Sequence, residues 1–253
     1  MIAFDRKQQI LELLQKKKTL KVDVLARLLH SSPATIRRDL QQLSEEGLIR
    51  RVRGGASYKE DRATDFPLDF RKVHEGEKKR KIAELAADFL QNDQLLFMDS
   101  STTVMAMIPY FKGYRGIHVL TNGLLAAHLL SQNTNVHVTI VGGHVHDKSS
   151  SVNGYTAAAF ISNYRADVAF LSGKSLNSDG AMEITEEEAA VRRSFIKQAK
   201  EKVLLIDSTK FDISCFFQSI KMNELDYILS DKQLPESIGN SAEIHGVESI
   251  SFE

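Results

Sequence analysis

The chain has 253 residues, enough for one large domain or for a small domain followed by a medium one. Its 33 Lys+Arg balance 33 Asp+Glu, but residues 1–81 hold 20 basic and 12 acidic residues, whereas residues 82–253 hold 13 and 21. The single cysteine excludes an intrachain disulfide and a cysteine-rich zinc site. No apolar run approaches a membrane span, and the chain begins with a charged segment rather than a secretion signal. We therefore expect a cytoplasmic protein whose basic N-terminal part suits a polyanion.

The most informative segment runs from residue 19 to residue 40. Apolar residues recur at helical spacing within residues 22–29, which predicts a first helix. Ser32 and Pro33 then form a typical helix start, because a serine caps the free N–H groups and proline needs no N–H in the first turn. Gly47 is a plausible end for this second helix. The pattern predicts a helix-turn-helix, preceded by another helix.

The polar face of the second helix has the chemistry that DNA contact requires. Arginine can form a two-pronged contact with guanine or bind phosphate, and small hydroxyls near a helix N-terminus suit phosphate oxygens. Two short extended segments around Gly54-Gly55 predict a β-hairpin, which would form a basic wing. Ordinary solvated arginines are the alternative, but the coincidence of these features favours double-stranded DNA. The expected contacts are Ser31, Ser32, Thr35, Arg37, Arg38, Gln41, Arg50, Arg51 and Arg53.

The rest of the chain alternates short apolar strands with helices, which indicates a mostly parallel sheet covered on both faces. We expect a winged helix-turn-helix domain at 1–58, a linker at 59–76 and an α/β sensor domain at 77–253. The strands are predicted at 95–98, 118–120, 136–141, 167–171, 203–206 and 227–229. The helices are predicted at 77–91, 102–111, 124–131, 156–163 and 186–200.

Four of the predicted strands end in groups suited to an anionic ligand. Ligands of such sheets bind at the carboxyl ends of the strands, where polar groups from several strands meet. A run of hydroxyls follows the first strand, and Lys210 follows a later one. Asp99 would repel phosphate but could bind sugar hydroxyls, so the pattern indicates a polyol phosphate. The candidate ligand residues are Asp99, Ser100, Ser101, Thr102, Thr103, Thr121, Asn122, Gly142, Gly143, Asp207 and Lys210.

These DNA-binding and ligand-binding motifs together resemble those of the DeoR family of bacterial transcriptional regulators, and the resemblance covers nearly the whole chain. The N-terminal resemblance lies in the strings at 34–40 and 53–56. The C-terminal resemblance lies in 99–103, 121–122, 142–143, Gly154, 166–167 and 207–211.

The resemblance implies a winged-helix domain and a sensor similar to ribose-5-phosphate isomerase but without catalysis. Such regulators usually repress sugar-catabolism operons and respond to a phosphorylated sugar. By matching position, Ser100 to Thr103 would cradle the phosphate. The chain departs from the family pattern at Ser101, Arg53 and Ser175, and Lys174 would then be an extra contact specific to the effector.

Two alternative interpretations remain open. An isomerase or deaminase with a DNA-binding appendage would need an acid/base pair, for which Asp99, Asp207 and the cluster 186–188 are available. His144 and His146 could face the same way on an extended segment and bind a metal. We expect neither a metal nor a cofactor, and no enzyme activity. We also expect a homodimer or homotetramer, because one small winged helix offers a modest DNA footprint.

Overall fold

The computed structural model describes residues 3–58, 66–132, 135–146 and 149–252. The chain forms two compact units, Met1–Phe66 and Pro67–Glu253. The second unit therefore includes residues 67–76, which the sequence suggested as part of a linker. The physical reason is that Leu68 and Phe70 are buried, Leu68 against Met105 and Ala126. Residues 59–65 lie outside the described residues.

The first unit is a small helical domain whose elements are α1 (Ala3–Lys17), β1 (Thr19–Lys21), α2 (Val22–Leu28), α3 (Pro33–Glu45), β2 (Ile49–Val52) and β3 (Gly55–Tyr58). The strands form a three-stranded antiparallel sheet of order β1-β3-β2. The two predicted helices and the wing are confirmed, and Gly47 follows the end of α3 at φ +76°. Strand β1 was not predicted. An added Cβ on Gly55 would lie 2.1 Å from the Leu20 carbonyl oxygen, so only glycine allows β3 to approach β1 this closely.

The second unit is an α/β domain. Its helices are α4 (Leu68–Val73), α5 (Gly76–Ala87), α6 (Thr102–Met105), α7 (Leu124–Ser131), α8 (Tyr155–Ile161), α9 (Glu186–Gln198) and α10 (Glu236–Ile244). Its strands are β4 (Leu95–Met98), β5 (Ile117–Thr121), β6 (Val136–Ile140), β7 (His144–His146), β8 (Ser151–Asn153), β9 (Ala166–Leu171), β10 (Ser175–Asn177), β11 (Gly180–Glu183), β12 (Ala199–Leu205), β13 (Phe217–Lys221), β14 (Tyr227–Ser230) and β15 (Glu248–Ser251).

Seven of these strands form one parallel sheet of order β15-β14-β12-β9-β4-β5-β6. One hydrophobic core on one face includes Phe97, Phe195 and Ile238, and a second core on the other face includes Ile82 and Phe170. Both faces are thus covered, as the apolar strands predicted. Because the strands are parallel, the residues after β4, β5, β6, β9 and β12 all lie at the same edge.

The sequence missed or misread several elements of this unit. The predicted helix 102–111 is divided into α6 and a 3₁₀ turn at Ile108–Phe111, because Pro109 has no N–H for an α-helical bond. A separate antiparallel sheet, β10-β11-β13, and the final α10–β15 pair were also not predicted. Among the described helices, none has the length and apolar character needed to cross a membrane.

Candidate DNA-binding and effector sites

The start of α3 is built as a capped helix. The Ser32 hydroxyl accepts the Thr35 N–H at 3.1 Å and lies 2.9 Å from the Thr35 hydroxyl, while Pro33 occupies the first turn. Ser31 donates to the Leu29 carbonyl at 3.0 Å and closes the turn between α2 and α3. Serine and threonine here therefore serve the helix start itself, and they remain at its N-terminus, where phosphate would be attracted.

The predicted DNA-contacting arginines lie on the exposed side of the first unit. Arg37 and Arg38 on α3 are exposed, as are the wing residues Arg50, Arg51 and Arg53. The Arg51 guanidinium donates to the main-chain oxygen of Arg37 at 3.3 Å. This bond joins the wing, which is the β2–β3 hairpin, to α3, the proposed reader helix. The exposed Gln41 donates to Glu45 at 2.9 Å on the same helix.

An ion pair between the half-buried Arg6 and the buried Asp39 fixes α3 against α1. The Arg6 Nε lies 2.5 Å from Asp39 Oδ2, and the Arg6 Nη2 donates to Oδ1 at 3.1 Å. This hydrogen-bonded pair raises the pKa of Arg6 above its ordinary value. Sequence reasoning missed the pair, although Asp39 shares the apolar stripe of α3 with Ile36, Leu40 and Leu43.

In the second unit, Asp99 joins the ends of β4 and β9. Its Oδ1 accepts the Ser101 N–H and its Oδ2 accepts the Ser172 N–H, both at 2.9 Å. The Arg192 Nη2 lies 3.3 Å from the same Oδ2. Asp99 is therefore held from both sides, and its two oxygens organise the loops that follow two adjacent strands.

Arg192 and Glu183 form a buried charge pair that sequence reasoning did not identify. The Arg192 Nε donates to the Ser172 carbonyl at 2.7 Å and lies 2.9 Å from Glu183 Oε1. Glu183 is fully buried, and burial raises its pKa to about 7 against the opposing effect of Arg192. Of the cluster 186–188 named for acid/base chemistry, Glu188 is buried and lies 4.0 Å from the ammonium of Lys174.

The four hydroxyls after Asp99 have different surroundings. Ser101 is the N-cap of α6 and accepts the Val104 N–H at 3.2 Å, so this hydroxyl already serves the helix. Thr102 and Thr103 are buried in its first turn. Ser100 is half-buried, and an added Cβ on Gly123 would lie 2.9 Å from the Ser100 Cα. The loops after β4 and β5 therefore touch at this glycine.

The loops after β5 and β6 lie at the same edge of the sheet as the loop after β4. Thr121 accepts the Gly123 N–H at 3.1 Å, and the Asn122 amide donates to the Val152 carbonyl at 3.0 Å and to Asn153 Oδ1 at 3.2 Å. Gly142 and Gly143 follow β6 and are exposed. Gly143 has a φ of +148°, which favours glycine, and an added Cβ there would lie 2.8 Å from a Val152 methyl group. An added Cβ on Gly142 would meet Phe160 only at ordinary contact distances.

Asp207 and Lys210 follow β12 at the same edge. The Lys210 ammonium lies 3.7 Å from Asp207 Oδ2 and donates to the Gly173 carbonyl at 3.0 Å, between Ser172 and Lys174. Burial would raise the pKa of Asp207, but Lys210 and the Thr209 hydroxyl outweigh it and hold that pKa below its ordinary value. The 172–174 loop thus connects the surroundings of Asp99 with those of Lys210.

Lys79 on α5 is buried, which the sequence analysis did not predict. It is 5% exposed, and burial together with Lys210 lowers its pKa to about 7. A signal was present in the sequence, because Lys79 recurs with Ile82, Ala83 and Ala86 on the buried stripe of α5.

The histidine pair considered for metal binding lies on β7. His146 Nδ1 is 3.1 Å from the Ser149 hydroxyl. Within residues 3–58, 66–132, 135–146 and 149–252, no three His, Cys, Asp or Glu side chains are grouped so that they could hold a metal ion.

A winged helix with a capped, arginine-bearing reader helix, joined to a parallel α/β unit with polar strand ends, defines a DNA-binding transcriptional regulator with a sensor domain. Comparison with known families agrees on both parts. The DeoR-like helix-turn-helix domain matches residues 6–62, and the DeoR C terminal sensor domain matches residues 74–232. The chain belongs to the DeoR family of transcriptional regulators, as its sequence motifs suggested.

Named relatives are similar over almost their whole length. The HTH-type transcriptional repressor CsqR of Escherichia coli is 30% identical over 246 residues, 97% of this chain and 94% of the relative. The regulator GolR of Listeria innocua is 31% identical over 94% of each chain. The glycerol-3-phosphate regulon repressor of Haemophilus influenzae is 31% identical over 93% of this chain and 91% of its own length.

Among solved structures, ribose 5-phosphate isomerase A from Methanocaldococcus jannaschii matches with a TM-score of 0.39. The match has 14% identity and covers 54% of each chain.

Proposed function

We propose that this regulator binds operator DNA through α3 and the wing, and that a phosphorylated sugar or polyol bound at the strand ends of the second unit changes its DNA affinity. The effector can act only by binding the DNA-competent and DNA-incompetent states with different affinities. Two observations support the proposal, one from each unit.

The DNA-binding part rests on the division of α3 into two faces. Asp39 and the apolar residues of the helix are buried, whereas Arg37 and Arg38 are exposed beside a capped N-terminus. The ion pair with Arg6 fixes the orientation of the helix, and Arg51 attaches the wing to it. These contacts hold the arginines on a defined surface, which base recognition in the major groove requires.

The effector part rests on buried polar atoms at the strand ends that have no hydrogen-bond partner among the described residues. A buried polar group without a partner costs stability, and a ligand with hydroxyl and anionic groups would supply the missing bonds. Lys210, whose ammonium lies at this edge beside Asp207 and the Gly173 carbonyl, is the cation that a phosphate would meet. The unpaired atoms are the hydroxyls of Thr103, Ser172 and Ser175, the Asn122 Oδ1 and the Glu183 Oε2, whose partner oxygen Oε1 faces Arg192.

The class of effector follows from the mixture of charges. Asp99, Glu183 and Glu188 lie near Arg192, while Asp207 lies beside Lys210. Inorganic phosphate alone would meet too many carboxylates, whereas sugar hydroxyls can donate to them. We therefore place the phosphate near Ser100, Thr103 and Lys210, and the hydroxyl-bearing part of the ligand towards Asp99 and Asn122. Lys174, Gly142 and Gly143 border this proposed site.

The proposal includes an assembly and a place of action. One winged helix has a small footprint, so we propose a symmetric homodimer or homotetramer that reads repeated half-sites. Because a DNA-binding regulator acts on the chromosome, we propose that the protein is cytoplasmic. Sedimentation velocity of the purified chain tests the assembly, and a monomer at DNA-binding concentrations would contradict it.

The test of the main proposal uses the full chain and a duplex selected by it from a random-sequence library. Its affinity is measured by fluorescence anisotropy with ribose 5-phosphate, fructose 1-phosphate and glycerol 3-phosphate, and with the unphosphorylated compounds as controls. We expect one phosphorylated compound to change the Kd by about 5- to 150-fold, the usual range of allosteric coupling. Lys210→Met should abolish the response and the exposed Lys112→Met should keep it. Equal affinity across the panel would contradict the sensing role.

One observation favours an enzyme, the second candidate function. Glu183 is a carboxyl group with a pKa of about 7, which is the value expected of a general base at neutral pH. Two of the candidates named from the sequence fit less well, because Asp99 accepts two main-chain N–H groups and Asp207 has a lowered pKa. The named relatives are transcriptional regulators, so we propose a regulator without catalysis. Turnover of ribose 5-phosphate that is lost in Glu183→Gln would reverse this assignment.

A further inference from the structure

A long stretch of the second unit is nearly free of charged residues. Residues 116–164 contain Asp147 and Lys148 as their only Asp, Glu, Lys or Arg, although these four types make up 26% of the chain. The stretch includes β5, α7, β6, β7, β8 and α8. Charged residues normally lie on the surface that faces water, whereas the centres of protein–protein interfaces are depleted of them. The composition therefore favours a surface that meets another protein.

Helix α7 and strand β6 together present the apolar part of this stretch. Leu129 of α7 is 37% exposed and Ile140 of β6 is 40% exposed, which is unusual for two large apolar side chains so close to each other in the chain. The neighbouring Leu130 shares a hydrophobic core with Val136 and Val138, so α7 covers one face of β6. The two elements therefore form one continuous uncharged surface.

Strand β6 is an edge strand of the seven-stranded sheet. The Val141 N–H donates to the Thr121 carbonyl at 2.9 Å, and in a parallel ladder every second residue bonds to the neighbouring strand. The N–H and C=O groups of Val136, Val138 and Ile140 therefore point away from β5. Across the described part of the chain, no main-chain bond joins this outer side to another segment. Such free groups are a template for pairing with a further strand.

The outward groups of β6 are arranged symmetrically about Val138. A second copy of β6, placed antiparallel by a two-fold axis at Val138, would pair Val138 with the partner's Val138 and Val136 with the partner's Ile140. Residues in such pairs exchange both N–H···O=C bonds, so all the outward groups would be used. His137 would lie opposite the partner's Thr139, and no like charges would meet across the axis.

We propose that β6 and α7 form the interface of a symmetric homodimer, in which the β6 strands of two copies pair antiparallel about Val138. The two sheets then continue as one, and the two α7 helices lie on the same face on either side of the axis. A second copy fits this surface because the surface is uncharged, apolar and complementary to itself. The inference rests on the proposed homo-oligomer and adds the surface through which two copies meet.

The first test measures association of the full chain by sedimentation velocity. His137→Glu with Thr139→Glu, the like-charge variant, places like charges opposite each other across the proposed axis. His137→Glu with Thr139→Lys, the opposite-charge variant, places attracting charges there. We expect the dimer Kd to rise at least about tenfold in the first variant and to stay within about threefold of wild type in the second. Ser249→Glu, exposed on the other edge strand β15, is the control and should leave association unchanged.

Cysteine cross-linking tests the register without introducing charge. In a Cys215→Ser background, which removes the single natural thiol, His137→Cys and Thr139→Cys proteins are oxidised separately and as a mixture. The mixture is made at low concentration, so that subunits exchange, and is then concentrated. Residues directly opposite in a non-hydrogen-bonded antiparallel pair are close enough for a disulfide. We expect a covalent dimer in the mixture and little in either protein alone.

The outcomes separate this interface from the proposed assembly. A wild-type dimer would lose its β6 interface, but not its assembly, if the like-charge variant associated equally well or if the mixture gave no cross-link. Equal weakening of the like-charge and opposite-charge variants would overturn the pairing about Val138. A monomeric wild type at DNA-binding concentrations would overturn both the interface and the assembly. If circular dichroism shows that the like-charge variant does not fold, the cross-link decides the proposal.

Discussion

Arg6 on α1 and Asp39 on α3 form a two-pronged ion pair on the buried side of the reader helix. The side chain of Asp39 is 4% exposed and that of its partner Arg6 is 12% exposed, whereas Arg37 and Arg38 on the same helix as Asp39 are exposed. Adjacent charged residues of one helix therefore have different roles. Asp39 positions the helix, and Arg37 and Arg38 remain available for DNA.

Asp39→Ala should destabilise the first unit. The substitution leaves the Arg6 guanidinium without its carboxylate, and hydrogen bonds to charged groups contribute about 1.5–3 kcal/mol. Urea unfolding followed by circular dichroism measures the loss. Glu46→Ala is the control, because its contact with Lys7 at 3.4 Å is exposed and should contribute under about 1 kcal/mol. Equal stability of the two variants would show that the pair does not hold α3.

Arg37→Ala and Arg38→Ala should weaken DNA binding without unfolding the protein, because both side chains are exposed. Loss of a base contact costs about 1–3 kcal/mol and relaxes sequence preference, whereas loss of a phosphate contact weakens all duplexes and lowers the salt dependence. Anisotropy titrations at several salt concentrations distinguish the two roles. Unchanged affinity in both variants, with intact circular dichroism, would contradict the proposed reader face.

Arg192→Met should destabilise the second unit strongly. The substitution leaves Asp99 and Glu183 buried without their shared cation, and removing one partner of a buried pair typically costs about 3–5 kcal/mol. Lys197→Met on the same helix is exposed and should cost little. Denaturant unfolding compares the two, and a similar small loss in both would show that the Arg192 contacts are dispensable.

Glu183 should make stability depend on pH. Burial raises its pKa from 4.5 to about 7, so between these values the folded state keeps a proton that the unfolded state releases. The free energy of unfolding should therefore fall as pH rises from about 4.5 to 7. Glu183→Gln should flatten this part of the stability curve, and the exposed Glu187→Gln should not. An unaltered pH slope in Glu183→Gln would refute this assignment.

The local patterns of the sequence determined the architecture. Apolar spacing, the Ser32-Pro33 start and Gly47 predicted α2 and α3, because helix starts and ends depend on neighbouring residues. The apolar strands predicted the parallel sheet in the same way, and the DeoR motifs predicted the family that the comparisons show.

Only the tertiary structure decided the partners of the buried charges. Asp39, Lys79 and Arg192 each lie on the apolar stripe of a helix, so their burial could have been read from spacing. Their partners could not, because Arg6, the α4 carbonyls and Asp99 come from other elements. Strand β1 pairs with distant β3 for the same reason. The spacing of apolar residues predicts which face of a helix or strand is buried. The residues that a buried side chain contacts depend on how segments distant in sequence pack together.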